Sequence, residues 1–391
     1  LKVSKTGLTL SAMEVWGILR GLETFSQLVY QKEGDYMQYW INKTYVKDYP
    51  RFKHRGVLLD TSRHYLSLQT ILENLESMAN NKLNVFHWHI VDDQSFPFQS
   101  KTYPNLTKMG AYDPVTHIYT HEDIATVIEE ARLRGIRVIP EFDTPGHTFS
   151  WGFGQNHLLT PCYDYKGIFN GLYGPINPIL KKNYGFLKNL FKEVLSLFKD
   201  KYIHLGGDEV PFDCWLSNIQ IQNFMKKNFL NDIKQILSFF ERQLLQLISA
   251  NAKSLNRKTG SIVWQEMFDN DLPKDTIIQV WSGDSYDVER VIKAGYAVIF
   301  STCWYLDYIQ YGQDWDKYYL CEQIAHLRLK NESNFYGGEI CLWAEYTDDS
   351  DILTRMWPRA SAAAERLWSD RNVNNIYRAA TRIETQRCRM M

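Results

Sequence analysis

The sequence predicts an α/β fold, a (β/α)8 TIM barrel preceded by the remnant of a small α+β domain. Three observations carry that prediction. From about residue 55 onward, β-branched or aromatic runs alternate with stretches of helical spacing, the pattern of a parallel sheet with helical crossovers. Several runs, Val57-Leu58-Leu59 and Ile277-Ile278 among them, are continuously apolar, as strands buried on both faces must be. No GxGxxG motif is present, so an open doubly wound sheet, usually with about six strands and a glycine-rich first turn, fits less well.

Taken in order, residues 1–54 hold one amphipathic helix with Val15, Trp16, Leu19 and Leu22 on a face, followed by a short polar segment ending at Tyr49-Pro50. That is too little to bury its own core, and it reads as the C-terminal part of an N-terminal α+β domain packed on a barrel of residues 55–391. The strand candidates are 55–61, 83–92, 137–143, 202–209, 261–266, 276–282, 296–304 and 335–345. Leu68, Ile71, Leu72 and Leu75 form a helical stripe after the first, as do Leu187, Leu190, Phe191 and Val194 before the fourth.

Composition narrows the function classes. With 45% hydrophobic and 23% charged residues the chain is globular, and 44 Lys+Arg against 45 Asp+Glu leave a net charge of −1. Nothing suggests a field for nucleic acid or for an anionic membrane surface. No apolar run approaches the roughly 20 residues of a membrane span. The chain begins at Leu1 without a basic-then-apolar leader, so a signal peptide removed, or an N-terminus lying outside this sequence, is expected. Six cysteines show no CxxC spacing, and neither a metal nor a cofactor is expected. Asn42-Lys43-Thr44, Asn105-Leu106-Thr107 and Asn331-Glu332-Ser333 are glycan acceptors if the chain enters the secretory pathway.

Barrels of this kind place their chemistry at the C-terminal ends of the strands. Those ends carry Asp60 and Arg63, Asp92-Asp93, Glu141, Asp143 and His147, Asp208-Glu209, Trp264 and Glu266, Trp281, Tyr305 and Asp307, and Trp343 and Glu345. An isolated Asp-Glu pair after a strand is more often a helix cap than a catalytic pair. Its company alters that reading, because carboxylates beside aromatic walls are how glycosidases bind and protonate sugars. His87-Trp88-His89 offers two imidazoles on one side of a strand, as metal-dependent barrel hydrolases do, and so frames one alternative. A glycan-binding protein that kept the pocket and lost the chemistry is another; it would lack one of the reacting groups.

The segments DTSRHYL, FHWHIVDDQSFP, EFDTPGHT, HLGGDEV, WYLDYIQYGQDW and WPRASAAAERLW resemble those of family 20 β-N-acetylhexosaminidases, most closely the animal lysosomal, β-subunit-like type. The resemblance implies an exo-acting enzyme that releases terminal GlcNAc or GalNAc with retention, the sugar's own acetamido group acting as nucleophile through an oxazolinium. It casts Glu209 as general acid and Asp208 as the carboxylate that orients the acetamido group. Trp264, Trp281 and Trp343 become the pocket walls, and Tyr305 the hydroxyl that meets the acetamido oxygen. Arg63, Asp307 and Glu345 take ring hydroxyls, while Asp92 and His147 position the catalytic pair.

Further expectations come with it. A carboxylate at Asp307, followed by Tyr308, suits a neutral 6-hydroxyl over a 6-sulfate. Tyr311 matches a residue that reaches into a neighbouring subunit's site, which implies a homodimer. Cys162 and Cys214 match a family disulfide, and Cys388 half of a C-terminal bridge whose partner lies outside this sequence. Cys303 and Cys321 depart from the family pattern, though their spacing allows an extra bridge. A lysosomal or secreted location follows from the same resemblance.

Overall fold

The computed structural model describes residues 1–270, 272–321 and 332–391. Eight parallel strands close a barrel in chain order: β1 (His54–Asp60), β2 (Val85–Val91), β3 (Arg137–Phe142), β4 (Tyr202–His204), β5 (Gly260–Trp264), β6 (Ile277–Val280), β7 (Ala297–Phe300) and β8 (Phe335–Leu342). Closure is the pairing of β8 with β1, with Glu339 opposite Gly56 and Leu342 opposite Leu59. Every predicted strand is present in the predicted order, and β1 and β2 are buried along their whole length. The helical stripes are equally direct: Ile71 and Leu75 of helix Leu68–Asn80, and Leu187, Leu190, Phe191 and Val194 of helix Lys181–Leu197, are buried against the barrel. Ser67 caps the first of these helices by accepting from the Thr70 amide.

Strand ends differ from the sequence reading in one consistent way. The predicted run 202–209 is a strand only to His204, because Gly206, Gly207 and Glu209 all adopt positive φ (68°, 106° and 45°). Likewise β5 stops at Trp264 and continues as a 3-10 turn over Gln265–Asn270. Hydrophobic alternation ran straight through these points, whereas the backbone turns there to present its polar residues on the rim.

The first 54 residues contain more than a helix. Helix Val15–Leu28 is flanked by a three-stranded antiparallel sheet of Lys2–Ser4, Gly7–Thr9 and Thr44–Tyr45, and by a hairpin of Val29–Lys32 with Asp35–Ile41. Gly34, at φ 82°, makes the hairpin turn inside what reads as a polar segment. The expected apolar face is largely outward, with Val15, Trp16 and Leu22 exposed. The helix is instead pinned by Arg20, its buried residue, whose guanidinium donates to the carbonyls of Leu83 at 2.8 Å and Gly135 at 3.0 Å.

Disulfides join Cys162 to Cys214, tying the loops after β3 and β4, and Cys303 to Cys321 after β7. The second is the extra bridge that spacing alone left open. Cys388 is exposed and unbridged among the described residues. Asn42 and Asn105 are exposed, while the Asn331 sequon lies outside the described residues. Among the described residues, no helix is long and apolar enough to cross a membrane.

Candidate active site

The loop after β4 is where the backbone does its most specialised work. A Cβ on Gly206 would lie 1.7 Å from Asp143 Oδ1, so only glycine lets the loop pass the carboxyl group at the end of β3. The Gly207 amide then donates to that same Oδ1 at 2.8 Å. Burial, reinforced by the neighbouring Asp208 carboxylate to which it hydrogen-bonds, pushes Asp143 well above the usual carboxylate range. The two acids therefore share a proton, held on Asp143.

His147, itself at φ 55°, stands at the centre of the acidic groups. Its Nδ1 is 3.2 Å from Asp92 Oδ1, and its Nε2 lies 3.8 Å from Asp208 Oδ2 and 4.0 Å from Glu209 Oε2. Burial opposes charge on this imidazole, but the hydrogen bond and charge of Asp92, with help from Asp208, raise it to about 9. Asp92 is fully buried, yet hydrogen bonds from His147 and His89 and the charge of Arg63 hold it below the ordinary carboxylate range. Asp208 is mostly covered, at 13% side-chain exposure, whereas Glu209 is 62% exposed.

Arg63 spreads its fork over Asp60 and Asp92, each at 3.1 Å, with Glu345 at 3.9 Å and the Trp343 ring beneath it at 5.0 Å. Its terminal nitrogens thus lean first on protein carboxylates. Its Nε is buried and has no hydrogen-bond partner among the described residues.

An aromatic wall closes the other side. Ring centroids of Trp264 and Trp343 are 6.1 Å apart, those of Trp281 and Tyr305 are 6.1 Å apart, and Tyr305 and Trp343 are 6.5 Å apart. Trp264 donates to Glu141 Oε1 at 2.7 Å, and Trp281 donates to Glu266 Oε1 at 3.0 Å. Tyr305 is buried, while Trp281 and Trp343 keep part of their surface open. At the edge, burial and the adjacent Glu345 raise Asp307 to about 6, and its Oδ1 is buried without a partner.

Eleven of the twelve residues singled out from the sequence, all but Tyr311, thus lie on the rim or in its wall. Tyr311 does not join them: it is 95% exposed on the loop after β7, beside the exposed Tyr308 and Ile309. Three of the strand-end acids, Glu141, Asp143 and Glu266, carry no role in the sequence reading yet are part of the site. Burial and the Asp208 charge raise Glu266 to about 7. Glu141 in β3 and Asp143 just past its end are two apart, a spacing that puts both on the same side of the sheet and was a readable signal.

The His87-Trp88-His89 pair is occupied. His87 sits between Glu339 at 2.6 Å and Glu141 at 3.0 Å, and His89 between Glu141 and Asp92, both at 2.7 Å. Against the effect of burial, these carboxylates raise His87 to about 9 and His89 to about 10. Both rings therefore lie within a buried network of carboxylates below the rim, with a carboxylate on either side of each.

Comparison with known proteins agrees with this geometry. The catalytic-domain profile of glycosyl hydrolase family 20 matches residues 52–371. The β subunit of β-hexosaminidase from Homo sapiens is 51% identical, over 100% of this chain and 70% of that protein. The α subunit of β-hexosaminidase from Mus musculus is 51% identical, over 98% of this chain and 72% of that protein. Among solved structures, the chitobiase of Flavobacterium johnsoniae superposes with a TM-score of 0.88 at 30% identity, over 100% of this chain and 59% of that one. The exo β-N-acetylglucosaminidase of Vibrio harveyi, solved with N-acetylglucosamine, gives 0.82 at 26% identity, over 98% of this chain and 64% of that one.

Proposed function

The chain belongs to glycosyl hydrolase family 20, and from that premise we propose that it is an exo-acting β-N-acetylhexosaminidase. It removes terminal non-reducing GlcNAc or GalNAc with retention, and the acetamido oxygen of the substrate is the nucleophile. One observation carries this reading: His147 lies within 4.0 Å of both Asp208 and Glu209, in front of a wall made by Trp264, Trp281, Tyr305 and Trp343.

Exposure divides the labour. Glu209 reaches out to where a leaving group enters from solvent, and it gives its proton to the glycosidic oxygen as that bond breaks. Asp208 lies deeper and receives the acetamido N–H, so that the carbonyl oxygen turns toward C1 and the developing positive charge faces a carboxylate. Tyr305 meets the acetamido oxygen, and the three tryptophans enclose its methyl and the apolar sugar face. The ring closes to an oxazolinium, which water opens with Glu209 acting as base. No enzyme carboxylate is needed beneath C1, the recognised exception among retaining glycosidases. Holding the intramolecular nucleophile in place is worth about 7–11 kcal/mol.

The sugar's hydroxyls go to Arg63, Asp307 and Glu345. With a carboxylate at Asp307, a neutral 6-hydroxyl is preferred to a 6-sulfate. Exposed Tyr308, Ile309 and Tyr311 after β7 support a homodimer, as do relatives named as subunits. Two disulfides and the exposed sequons at Asn42 and Asn105 support a lysosomal or secreted location.

The test is release of nitrophenol from a nitrophenyl N-acetylglucosaminide. Glu209→Gln should lose roughly 10²–10⁴ in rate, and much less on a dinitrophenyl glycoside whose leaving group needs no proton. A thiazoline that mimics the cyclised intermediate should inhibit competitively. Wild-type turnover by Glu209→Gln, or indifference to the thiazoline, rejects the mechanism.

A further inference from the structure

The mechanism above uses the rim and leaves a buried string of charges below it unexplained. From the barrel floor upward, His54 lies 2.8 Å from Glu339, Glu339 2.6 Å from His87, and His87 3.0 Å from Glu141. Glu141 then lies 2.7 Å from His89, His89 2.7 Å from Asp92, and Asp92 3.2 Å from His147. Imidazoles and carboxylates alternate without a gap from the first residue of β1 to the ring beside Glu209.

Position along the strands shows how local this arrangement is. Val85, Ile139, Ile262 and Ile277 form one apolar cluster across the barrel. Two residues further along the same strands, the inward positions are His87, Glu141, Trp264 and Gln279. Apolar packing fills one level, and an interlocked polar set fills the next. A carboxylate as deeply buried as Glu141 contributes little net stability over a well-packed apolar side chain, so its contacts are the place to look for its role. Its two oxygens point at two different parts of the site. Oε1 accepts from the Trp264 indole at 2.7 Å, and Oε2 meets His89 Nδ1 at 2.7 Å.

We propose that Glu141 is a positioning residue of the active site: one oxygen aims the pocket tryptophan Trp264, and the other anchors His89, which through Asp92 and His147 fixes the catalytic pair. The assignment rests on the hexosaminidase reading above. The groups facing Glu141 are His87 and His89 from β2 and His204 from β4, with Asp143 just beyond the end of its own strand; Glu339 from β8 lies on the other side of His87, and His54 one step further down. Among them His87 and His89 are held charged by the carboxylates, whereas burial keeps His204 and His54 neutral.

Two substitutions separate the two oxygens. In Glu141→Gln the amide oxygen can still accept from Trp264, but the amide N–H faces His89 and can be received only by a neutral ring. This variant should therefore keep KM within about twofold and lose roughly tenfold in kcat on a poor leaving group, with little loss on a dinitrophenyl glycoside. Glu141→Leu removes both contacts and should add a rise in KM. That rise should match the one caused by Trp264→Phe and should not add to it in the double variant.

Equal losses for good and poor leaving groups, with KM unchanged in both variants, would mean that Glu141 only supports the fold. Glu209→Gln run in parallel keeps the two readings apart: if it turns over normally, the active-site assignment fails regardless of Glu141. Should the Glu141 variants fail to fold, ¹⁵N imidazole spectra of the unmodified enzyme decide. Doubly protonated His87, His89 and His147 at pH 7 are expected, and a neutral His89 overturns the proposal.

Discussion

Replacing Asp143 by asparagine should do surprisingly little, and the reason lies in the proton it shares with Asp208. Burial and the neighbouring Asp208 carboxylate both disfavour a charge on Asp143 and push it well above the usual carboxylate range. Asp143 therefore carries the proton and donates it to Asp208 while its Oδ1 accepts from the Gly207 amide. Asparagine reproduces both contacts, with Nδ2–H toward Asp208 and Oδ1 toward Gly207. Its kcat on a nitrophenyl N-acetylglucosaminide should stay within about fivefold of wild type, since no charge changes at neutral pH. Asp143→Ala instead strands the Gly207 N–H and removes the donor to Asp208, a loss of about 2–3 kcal/mol and hence roughly 100-fold in kcat. Because the Asn variant has no proton to lose at this position, its activity should also persist to higher pH than that of wild type. An Asn variant as inactive as the Ala variant would refute the shared-proton reading, provided circular dichroism shows both folded.

Three further outcomes follow from other sites. Gly206→Ala would put a methyl where Asp143 Oδ1 now sits, and a displacement of this kind should cost on the order of 100-fold in kcat; full activity would show that the loop tolerates the change. Asp307, raised to about 6, is ionised at pH 7 and largely protonated at pH 5. Its repulsion of a 6-sulfate should therefore fade as pH falls, so the ratio of kcat/KM for plain over 6-sulfated glucosaminides narrows by several-fold between pH 7 and pH 5; a ratio independent of pH argues against Asp307 as the discriminator. Glu241, buried on helix Ile233–Ser254, is raised by burial from 4.5 to about 9. Folding is favoured fully below the unfolded value and weakens as pH climbs from 4.5 toward 9, so Glu241→Gln should raise stability at pH 7 by about 1–3 kcal/mol and leave it unchanged near pH 4. Urea melts at the two pH values check this, and equal shifts at both would contradict it.

What could be read in advance divides along physical lines. The barrel was legible because each strand is an apolar run of ordinary length between helices with a clear stripe, and periodicity reports just that. The ends of β4 and β5 were not, since alternation cannot register a change of φ, and two adjacent glycines before Asp208 were the available hint. The N-terminal helix was less legible, because Val15, Trp16 and Leu22 of its apolar stripe are exposed while its buried Arg20 reaches the carbonyls of Leu83 and Gly135. At the site, the reacting side chains stood out as polar residues just past strand ends. Glu141 and Asp143 lie at the end of a strand too, and their spacing puts them on one side of the sheet, but their importance comes from partners on or just after β2, β4 and β5 that are remote in sequence.

That difference bears on why the barrel accepts so many buried charges. Asp92, Glu141 and Glu339 are each held ionised by imidazoles raised in turn by those same carboxylates, with the Arg63 guanidinium adding to the hold on Asp92. An unpaired charge at that depth would cost several kcal/mol, and its removal one at a time is correspondingly severe. Interleaving makes each member's geometry depend on its neighbours, and a ring such as His147 is then held in one orientation. Glu209 is the exposed end of that arrangement. Its backbone sits at positive φ beyond two glycines, and its carboxylate lies 4.0 Å from the His147 ring at the top of the buried network.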